Sequence, residues 1–345
     1  MANTFRKIQV HTLSSNFREA TRIVEGSFRD IKNNEVLLQN YWVGINASDI
    51  NYTAGHYRPG LAPPFDAGFE SVSRVMKCGK DVKHLKEGDT VVATSFSAFG
   101  DYQYVKASRC VPVSELNPRM IPLLVSGLTA SLALEKVGQM TSNETVLVTA
   151  AAGGTGSFAV QLAKLNGNHV IGTCSSEEKA KLLKKLGCDR VINYREERLG
   201  DVLKKEYPKG IDIVYECVGG EMYEEAIKNL AVKGRLIVIG MISGYQNQST
   251  WKNKDPSTQI GKPVIEAELL KKSASVRGFF LNHFAEHFPE HMMKLSEMVS
   301  NGTLESVIDS TSFFGLESIP EAIDYMYSRK NQGKVVVQLS KISNL

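Results

Sequence analysis

The sequence has little of what marks a specialised class. Its five cysteines (Cys78, Cys110, Cys174, Cys188, Cys217) are scattered, with no C-x-x-C pair. That excludes a disulfide scaffold and a structural zinc built on closely spaced thiolates, and the odd count predicts reduced thiols in an intracellular setting. No run of about 18 apolar residues stands out, which predicts that nothing spans a bilayer. The first residues, Met-Ala-Asn-Thr-Phe-Arg-Lys, lack the apolar stretch of a signal peptide. Net charge is only +4 over 345 residues, which argues against nucleic acid or a membrane surface as a partner. No internal repeat or low-complexity tract is present. The remainder, 42% hydrophobic and 23% charged, is the composition of a globular enzyme of about two domains.

One stretch organises the chain: Val146-Leu-Val-Thr-Ala-Ala-Ala-Gly-Gly-Thr-Gly156, running into Ser157-Phe-Ala-Val-Gln-Leu-Ala-Lys164. The apolar run 146–148 predicts a buried strand, and Ala159, Leu162 and Ala163 recur at helical spacing. Strand, glycine turn and helix in that order begin a dinucleotide site. Glycines admit the backbone to a pyrophosphate, and the helix N-terminus presents free N–H groups to it. Against the G-x-G-x-x-G spacing, Ala151 stands in the first place and Gly153 and Gly156 in the second and third. An ordinary turn can share such a pattern, and the flanking strand and helix favour the nucleotide site.

Strands are expected at 169–173, 190–193, 211–217, 235–241 and 275–280, alternating with helices. This predicts a parallel, doubly wound α/β sheet of Rossmann type. A helix over 121–137, broken at Ser126-Gly127, precedes it. Residues 1–122 have little helical periodicity. Short strands at 36–45, 71–76, 91–93, 102–105 and 110–113, with a polar loop at 46–57, predict a mostly β, partly barrel-like domain. The polar segment 243–272, with Trp251 and Pro256, reads as a lid or insertion. Helix then returns, and a strand over 334–339 is expected to pack back on the first domain.

Three stretches carry a family resemblance: Asn46-Ala-Ser-Asp49, Ser126-Gly-Leu-Thr-Ala130 and Ala150-Ala-Ala-Gly-Gly-Thr-Gly156. They resemble the zinc-independent quinone-oxidoreductase branch of the medium-chain dehydrogenase/reductase superfamily. Further stretches, above all Leu270-Lys-Lys-Ser-Ala-Ser-Val-Arg-Gly-Phe-Phe-Leu-Asn-His283, are similar to its prostaglandin-reductase subgroup. The resemblance implies a GroES-like catalytic domain at 1–122, a Rossmann NADPH-binding domain at 123–282 and a return to the catalytic domain over 283–345. It also implies NADPH-dependent reduction of the carbon–carbon double bond of α,β-unsaturated ketones, 15-oxo-prostaglandins among them, and a homodimer paired through the edge strand of the nucleotide sheet. The C-terminal Ser343-Asn344-Leu345 resembles a peroxisomal address weakened by loss of its lysine, or is a plain tail in a cytoplasmic protein.

The residues refine these expectations. Where the superfamily's zinc enzymes place a Gly-His-Glu turn, this chain has Gly68-Phe69-Glu70, and phenylalanine cannot bind a metal. No metal is expected. After the second nucleotide strand an NAD site carries a carboxylate for the ribose hydroxyls. Here Cys174-Ser175-Ser176 stand there, followed by Lys179. Hydroxyls and an ammonium suit a 2′-phosphate, although Lys179 can equally be a solvated helix charge. Glu177 and Glu178 suit a helix N-terminus.

By resemblance, Tyr194 flanks that phosphate. Gly153, Gly154, Thr155 and Gly156 lie at the pyrophosphate. Thr129, Cys217, Ile239, Met241, Ser243, Tyr245, Phe279, Phe280 and Leu281 line the cofactor, and Asn331 closes over it. Cys217 can instead be a buried thiol, and Asn331 a turn residue before Gly333.

Enone reduction leaves charge on the carbonyl oxygen, so a positioned donor is required. Tyr52 is the first candidate and Tyr245 the second, either of which can instead be a packing residue. Asn46 and Asp49 orient their loop and the nicotinamide carboxamide. Tyr57, Phe65, Phe69, Phe279 and Phe280, with the 243–272 segment, can line an apolar trough for a lipid-like substrate. Two alternatives stay open: a quinone reductase using the same site, and a non-catalytic NADPH-binding protein.

Overall fold

The structure, a computed structural model, describes residues 4–247 and 265–341. Its contacts divide the chain into two units, 1–125 with 307–345, and 126–306.

The first unit is antiparallel β. Strands β1 (Thr4–Val10), β2 (Thr21–Ser27), β3 (Glu35–Gly44), β4 (Phe65–Asp66), β5 (Glu70–Cys78), β6 (Thr90–Thr94), β7 (Tyr102–Lys106) and β8 (Cys110–Pro112) come from its N-terminal part. They form a sheet β2-β1-β4 and a larger sheet continuing β3-β5-β6-β8, with β7 paired to β3. Val36, Leu38, Val75, Val91, Ala93 and Val105 fill one core. Each buried aliphatic side chain contributes about 1.5–3 kcal/mol.

The second unit holds β9 (Thr145–Val148), β10 (His169–Cys174), β11 (Arg190–Asn193), β12 (Ile211–Glu216), β13 (Leu230–Val238) and β14 (Ser275–Gly278). All pair in parallel, in the order β11-β10-β9-β12-β13-β14. Chain order reverses between β9 and β12, and the carboxyl ends at such a reversal are where open α/β sheets bind ligands. Leu147, Ile171, Ile213 and Val214 are fully buried, as the unbroken apolar runs of a sheet covered on both faces require. The chain then returns to the first unit, where β15 (Val336–Gln338) pairs antiparallel with β3.

Several expectations need correction. The return begins at 307, not 283. Helix Phe288–Ser300 stays with the nucleotide unit because the ring of His291, 1% exposed, is bonded to Ser131. The helix expected over 121–137 is not broken at Ser126-Gly127. It runs through as widened turns, Leu123–Gly127 and Ala133–Val137, around Leu128–Leu132. Gly138 N bonds the Ala133 carbonyl, five residues back, so the chain bulges and stays helical.

That helix, Pro118–Val137, also has the length and mean hydropathy (1.4) of a span, contrary to the expectation that no stretch does. Of that apolar window 72% is buried in the fold, as in a core helix. The polar loop at 46–57 contains a helical turn, Asp49–Thr53. In the 243–272 segment, Ile265–Lys272 is helical and Ile265 and Leu269 pack on the nucleotide core. Its residues 248–264, with Trp251 and Pro256, and the tripeptide 343–345 lie outside the described residues.

Candidate active site

The nucleotide unit builds its candidate site from backbone. At the end of β9, Ala150 takes the left-handed conformation (φ +48) and helix Gly154–Leu165 begins with Gly153 as its cap. A Cβ on Gly156 would lie 2.5 Å from the Ala150 carbonyl oxygen. Only glycine lets the helix come this near the turn, which leaves its first N–H groups facing outward for an anion. The Thr155 hydroxyl faces inward, donating to the Ser126 carbonyl (3.1 Å) and bonded to the Tyr215 hydroxyl (2.6 Å). Its side chain anchors the helix. Thr129 is buried on Leu128–Leu132.

At the end of β10, Ser175 is buried and Ser176 caps helix Glu177–Lys185, its Oγ accepting from Lys179 N (3.4 Å). Tyr194 N bonds the Cys174 carbonyl (3.1 Å), which sets Tyr194 beside Ser175. Lys179 lies in the first turn of that helix, so the structure gathers these residues at neighbouring strand ends.

Past β12 a turn is held by Glu216, fully buried, which accepts from Val218 N (2.9 Å), Gly219 N (3.0 Å) and the Thr149 hydroxyl (3.2 Å). Burial raises the Glu216 carboxyl above its usual range against these bonds. Cys217 N bonds Thr149 Oγ1 (2.8 Å), and burial pushes its thiol well up, so it remains a neutral thiol. Ile239 N reaches the Glu216 carbonyl and Ser243 Oγ the Val218 carbonyl (2.6 Å). Ile239, Met241 and Ser243 therefore stand beside Cys217. Tyr245 is buried, and a Cβ on Gly240 would lie 2.7 Å from its hydroxyl oxygen. Phe279 bonds the Val238 carbonyl and stacks on Phe284 at 5.0 Å, with Phe280 against His283 and Leu281 next in the chain.

The β unit gathers its candidate residues through side chains. Asn46 donates through Nδ2 to Glu70 Oε1 (2.9 Å) and accepts through Oδ1 from Lys334 Nζ (2.6 Å). Lys334 is also ion-paired with Glu70, whose second oxygen accepts from Val125 N (3.1 Å). Glu70 is 0% exposed and Lys334 3%. The Asn46 side chain is thus spent on holding its own loop.

Asp49 accepts from Asn46 N (2.8 Å) through one oxygen, while its other has no hydrogen-bond partner. Burial raises its carboxyl to about 8, against the Asn46 bond and Lys334, with Glu70 adding to the rise. Tyr52, 3% exposed, sits among Phe65 (5.2 Å), Phe69 (5.4 Å) and Phe96, on which it stacks at 5.1 Å. The Tyr57 hydroxyl accepts from Asn51 Nδ2 (3.1 Å), and Asn331 Nδ2 bonds the Gly333 carbonyl (3.0 Å) as a turn residue does.

Sequence reading missed Glu70, Lys334 and Phe96. Glu70 was visible only as the residue after Phe69, and nothing near Lys334 in the chain points to a partner 264 positions away.

Two family matches divide the chain in the same way: an alcohol dehydrogenase GroES-like domain at 32–115 and a zinc-binding dehydrogenase at 154–298. The chain is 47% identical over 344 residues to prostaglandin reductase-3 of Mus musculus, spanning 97% of this chain and 90% of the relative. The chain belongs to the medium-chain dehydrogenase/reductase superfamily. Within it, the "Probable quinone oxidoreductase" of Leishmania amazonensis is 44% identical over 98% of each chain. The Escherichia coli quinone oxidoreductase, solved as a complex with NADPH, superposes with a TM-score of 0.81 at 28% identity, covering 96% of this chain and 99% of that one.

The zinc that one of these family descriptions names does not suit this donor set. Phe69 offers no ligand, the Asn46 oxygen and one Glu70 oxygen are spent on the Lys334 ammonium, and the other Glu70 oxygen accepts from Val125 N. Among the described residues no three His, Cys, Asp or Glu side chains gather as a metal site needs.

Proposed function

We propose that this chain is an NADPH-dependent reductase of the carbon–carbon double bond of α,β-unsaturated ketones, with 15-oxo-prostaglandins as substrates. The observation that carries the cofactor choice is the end of β10. It carries Ser175 and the first turn of the Glu177–Lys185 helix, in which Lys179 lies, with Tyr194 beside Ser175 and no carboxylate at the strand end where an NAD site carries one. The close approach at Gly156 fits a pyrophosphate. Gly153, Gly154, Thr155 and Gly156 would hold it through N–H groups. Cys217, Ile239, Met241, Ser243 and Phe279 to Leu281 would line the nicotinamide end. The relative named prostaglandin reductase-3 supports the substrate class.

NADPH, when bound, supplies the hydride that the β-carbon of the enone receives. The protein's own task is the other end of the conjugated system. Negative charge develops on the carbonyl oxygen, and a donor already in place there stabilises the enolate. Tyr52 fills that role in this reading, its ring fixed by three aromatic neighbours and its loop by Asn46, Glu70 and Lys334. Tyr245 is the second donor. A solvent proton then completes the α-carbon, giving the saturated ketone. Tyr57, Phe65 and Phe69 offer apolar surface to a fatty chain. A homodimer paired along the edge strand β14 belongs to the same reading, with the oligomeric mass by light scattering as its test.

A second reading, quinone reduction at the same site, is favoured by the Leishmania and Escherichia coli relatives. NADPH oxidation followed by absorbance, with a 15-oxo-prostaglandin, a simple enone and a quinone in parallel and NADH as control, separates the two. Turnover of the prostaglandin with NADPH and not NADH is expected. Turnover of the quinone alone would replace the reading. Tight NADPH binding without turnover would leave a non-catalytic protein.

A further inference from the structure

The reductase reading makes no use of His287-Phe-Pro-Glu-His291, two histidines four apart where helix Phe288–Ser300 begins. Residues four apart share one face of a helix, and this is the spacing at which a helix offers two imidazoles to zinc. His287 caps the helix with helical backbone angles, and the two rings stand 6.5 Å apart between centroids. His283 repeats the spacing but drops out of it. The backbone leaves helical geometry at Phe284, and the His283 ring lies against Phe280.

His291 is the buried member, 1% exposed. Its Nδ1 is bonded to the Ser131 hydroxyl (2.7 Å), and its Nε2 has no hydrogen-bond partner. Nε2 stands 3.8 Å from Glu135 Oε2. That gap is too wide for a hydrogen bond and too narrow for a bridging water, which holds its partners about 4.5 Å apart. Two ligands of a tetrahedral zinc stand about 3.4 Å apart, given metal–donor distances of about 2.0–2.1 Å. Glu135, its side chain 45% exposed, is free to close the difference. With the Ser131 hydroxyl accepting from Nδ1–H, the ring is fixed and the Nε2 lone pair is left to a metal, as an outer-shell partner does in zinc sites.

We propose that His291, Glu135 and His287 form a Zn2+ site, with water in the fourth position. All three belong to the nucleotide unit, whereas Phe69, at the superfamily's usual zinc position, belongs to the other. Among the described residues the three donors do not yet converge. The reason is His287, which faces its neighbour Glu286 (Nε2 to Oε1 3.7 Å). That side chain is 34% exposed, and rotation about its χ angles turns it along the helix face toward His291. The charges around the site are mixed. Lys136 pairs with Glu135 through the other carboxylate oxygen (2.7 Å), and Lys294 is a second cation near His291, with Glu290 and Glu286 opposing them. A bound ion would tie helix Phe288–Ser300 to the widened turn Ala133–Val137.

The test is calorimetric titration of the full chain with ZnCl2 after treatment with a chelator, repeated with Co2+ by absorbance. One Zn2+ per chain is expected, and a Co2+ d–d band without the thiolate charge-transfer band that cysteine ligands give. His287→Ala and Glu135→Gln change half-exposed side chains, so both variants should fold, and each should weaken Zn2+ binding at least tenfold. Zinc should also slow hydrogen exchange in both Phe288–Ser300 and Ala133–Val137 of the wild type. Absence of Zn2+ binding at 100-fold molar excess over protein overturns the proposal. So does a thiolate band, which would move the ion to cysteines, or binding that either variant leaves unchanged.

Discussion

The two units build their parts by opposite means. In the nucleotide unit the groups proposed to hold the ligand are backbone N–H groups at the start of helix Gly154–Leu165, which approaches the turn closely because Gly156 has no side chain. Side chains there mostly brace the frame, as Thr155 does on Ser126 and Tyr215, and Glu216 on the turn at 217–219. In the β unit the arrangement is made by side chains meeting from distant positions: Asn46 and Asp49 from one loop, Glu70 from β5, and Lys334 from just before β15. A backbone site tolerates varied side chains around it and fails when bulk is added. A buried polar network fails when one member is removed.

The largest test of this contrast is Lys334→Met. Removing one partner of a buried ion pair leaves the Glu70 carboxylate uncompensated, at about 3–5 kcal/mol. Urea unfolding should show that loss, and hydrogen exchange should place it in β3, β5 and β15. Loss of protection in the parallel sheet instead would break the comparison. Adding Glu70→Leu to this variant should restore part of the stability, because the stranded charge goes too.

Gly156→Val probes the other half. With a side chain forced against the Ala150 carbonyl, NADPH affinity should fall about 100-fold, or about 2.7 kcal/mol, read by fluorescence titration. Binding within threefold of wild type would show that the helix start is not the pyrophosphate cradle.

Lys179→Gln is a smaller change. NADPH binding should weaken about tenfold while NADH binding stays put. Equal weakening of both would reassign Lys179 to a general charge effect.

A test of a different kind is in pH, where the sign differs between the two units. Asp49 is raised to about 8 when folded, so between its unfolded pKa and that value the native state holds a proton that the unfolded chain has lost. Stability therefore falls as pH rises through that window, by about 1.4 kcal/mol per pH unit at most, and levels off above it. Asp49→Asn should flatten this slope.

His291, in the other unit, is lowered by burial, with Glu135 and Glu290 pulling it back up and Lys136 and Lys294 adding to the fall. The unfolded chain protonates first, so its share of stability is lost as pH falls through the ordinary histidine range. Hydrogen exchange at pH 5.5, 7 and 8.5 should show the two units weakening at opposite ends. Parallel weakening would remove the contrast.

Legibility follows the same division. The glycine turn, the parallel strands and the serine-rich end of β10 were readable because each is contiguous: period, turn and helix start lie within about 30 residues. The strands β1 and β2 escaped notice because an exposed edge sheet carries charged residues that mask its alternation. The break expected at Ser126-Gly127 failed because an α-helix can widen by one residue and keep its hydrogen bonds. The helical turn Asp49–Thr53 is too short for periodicity to reveal.

By itself the sequence determined the fold class, the nucleotide unit and the residues that crowd its turn, because local spacing and steric size act within a short stretch of chain. Only the tertiary structure decided that Asn46 serves its own loop through Glu70 and Lys334, that Tyr52 is enclosed by Phe65, Phe69 and Phe96, and that the return begins at 307. Those depend on burial and on partners far apart in the chain. A charge pays nothing to stand in water, so its type alone cannot say whether folding will bury it beside its opposite.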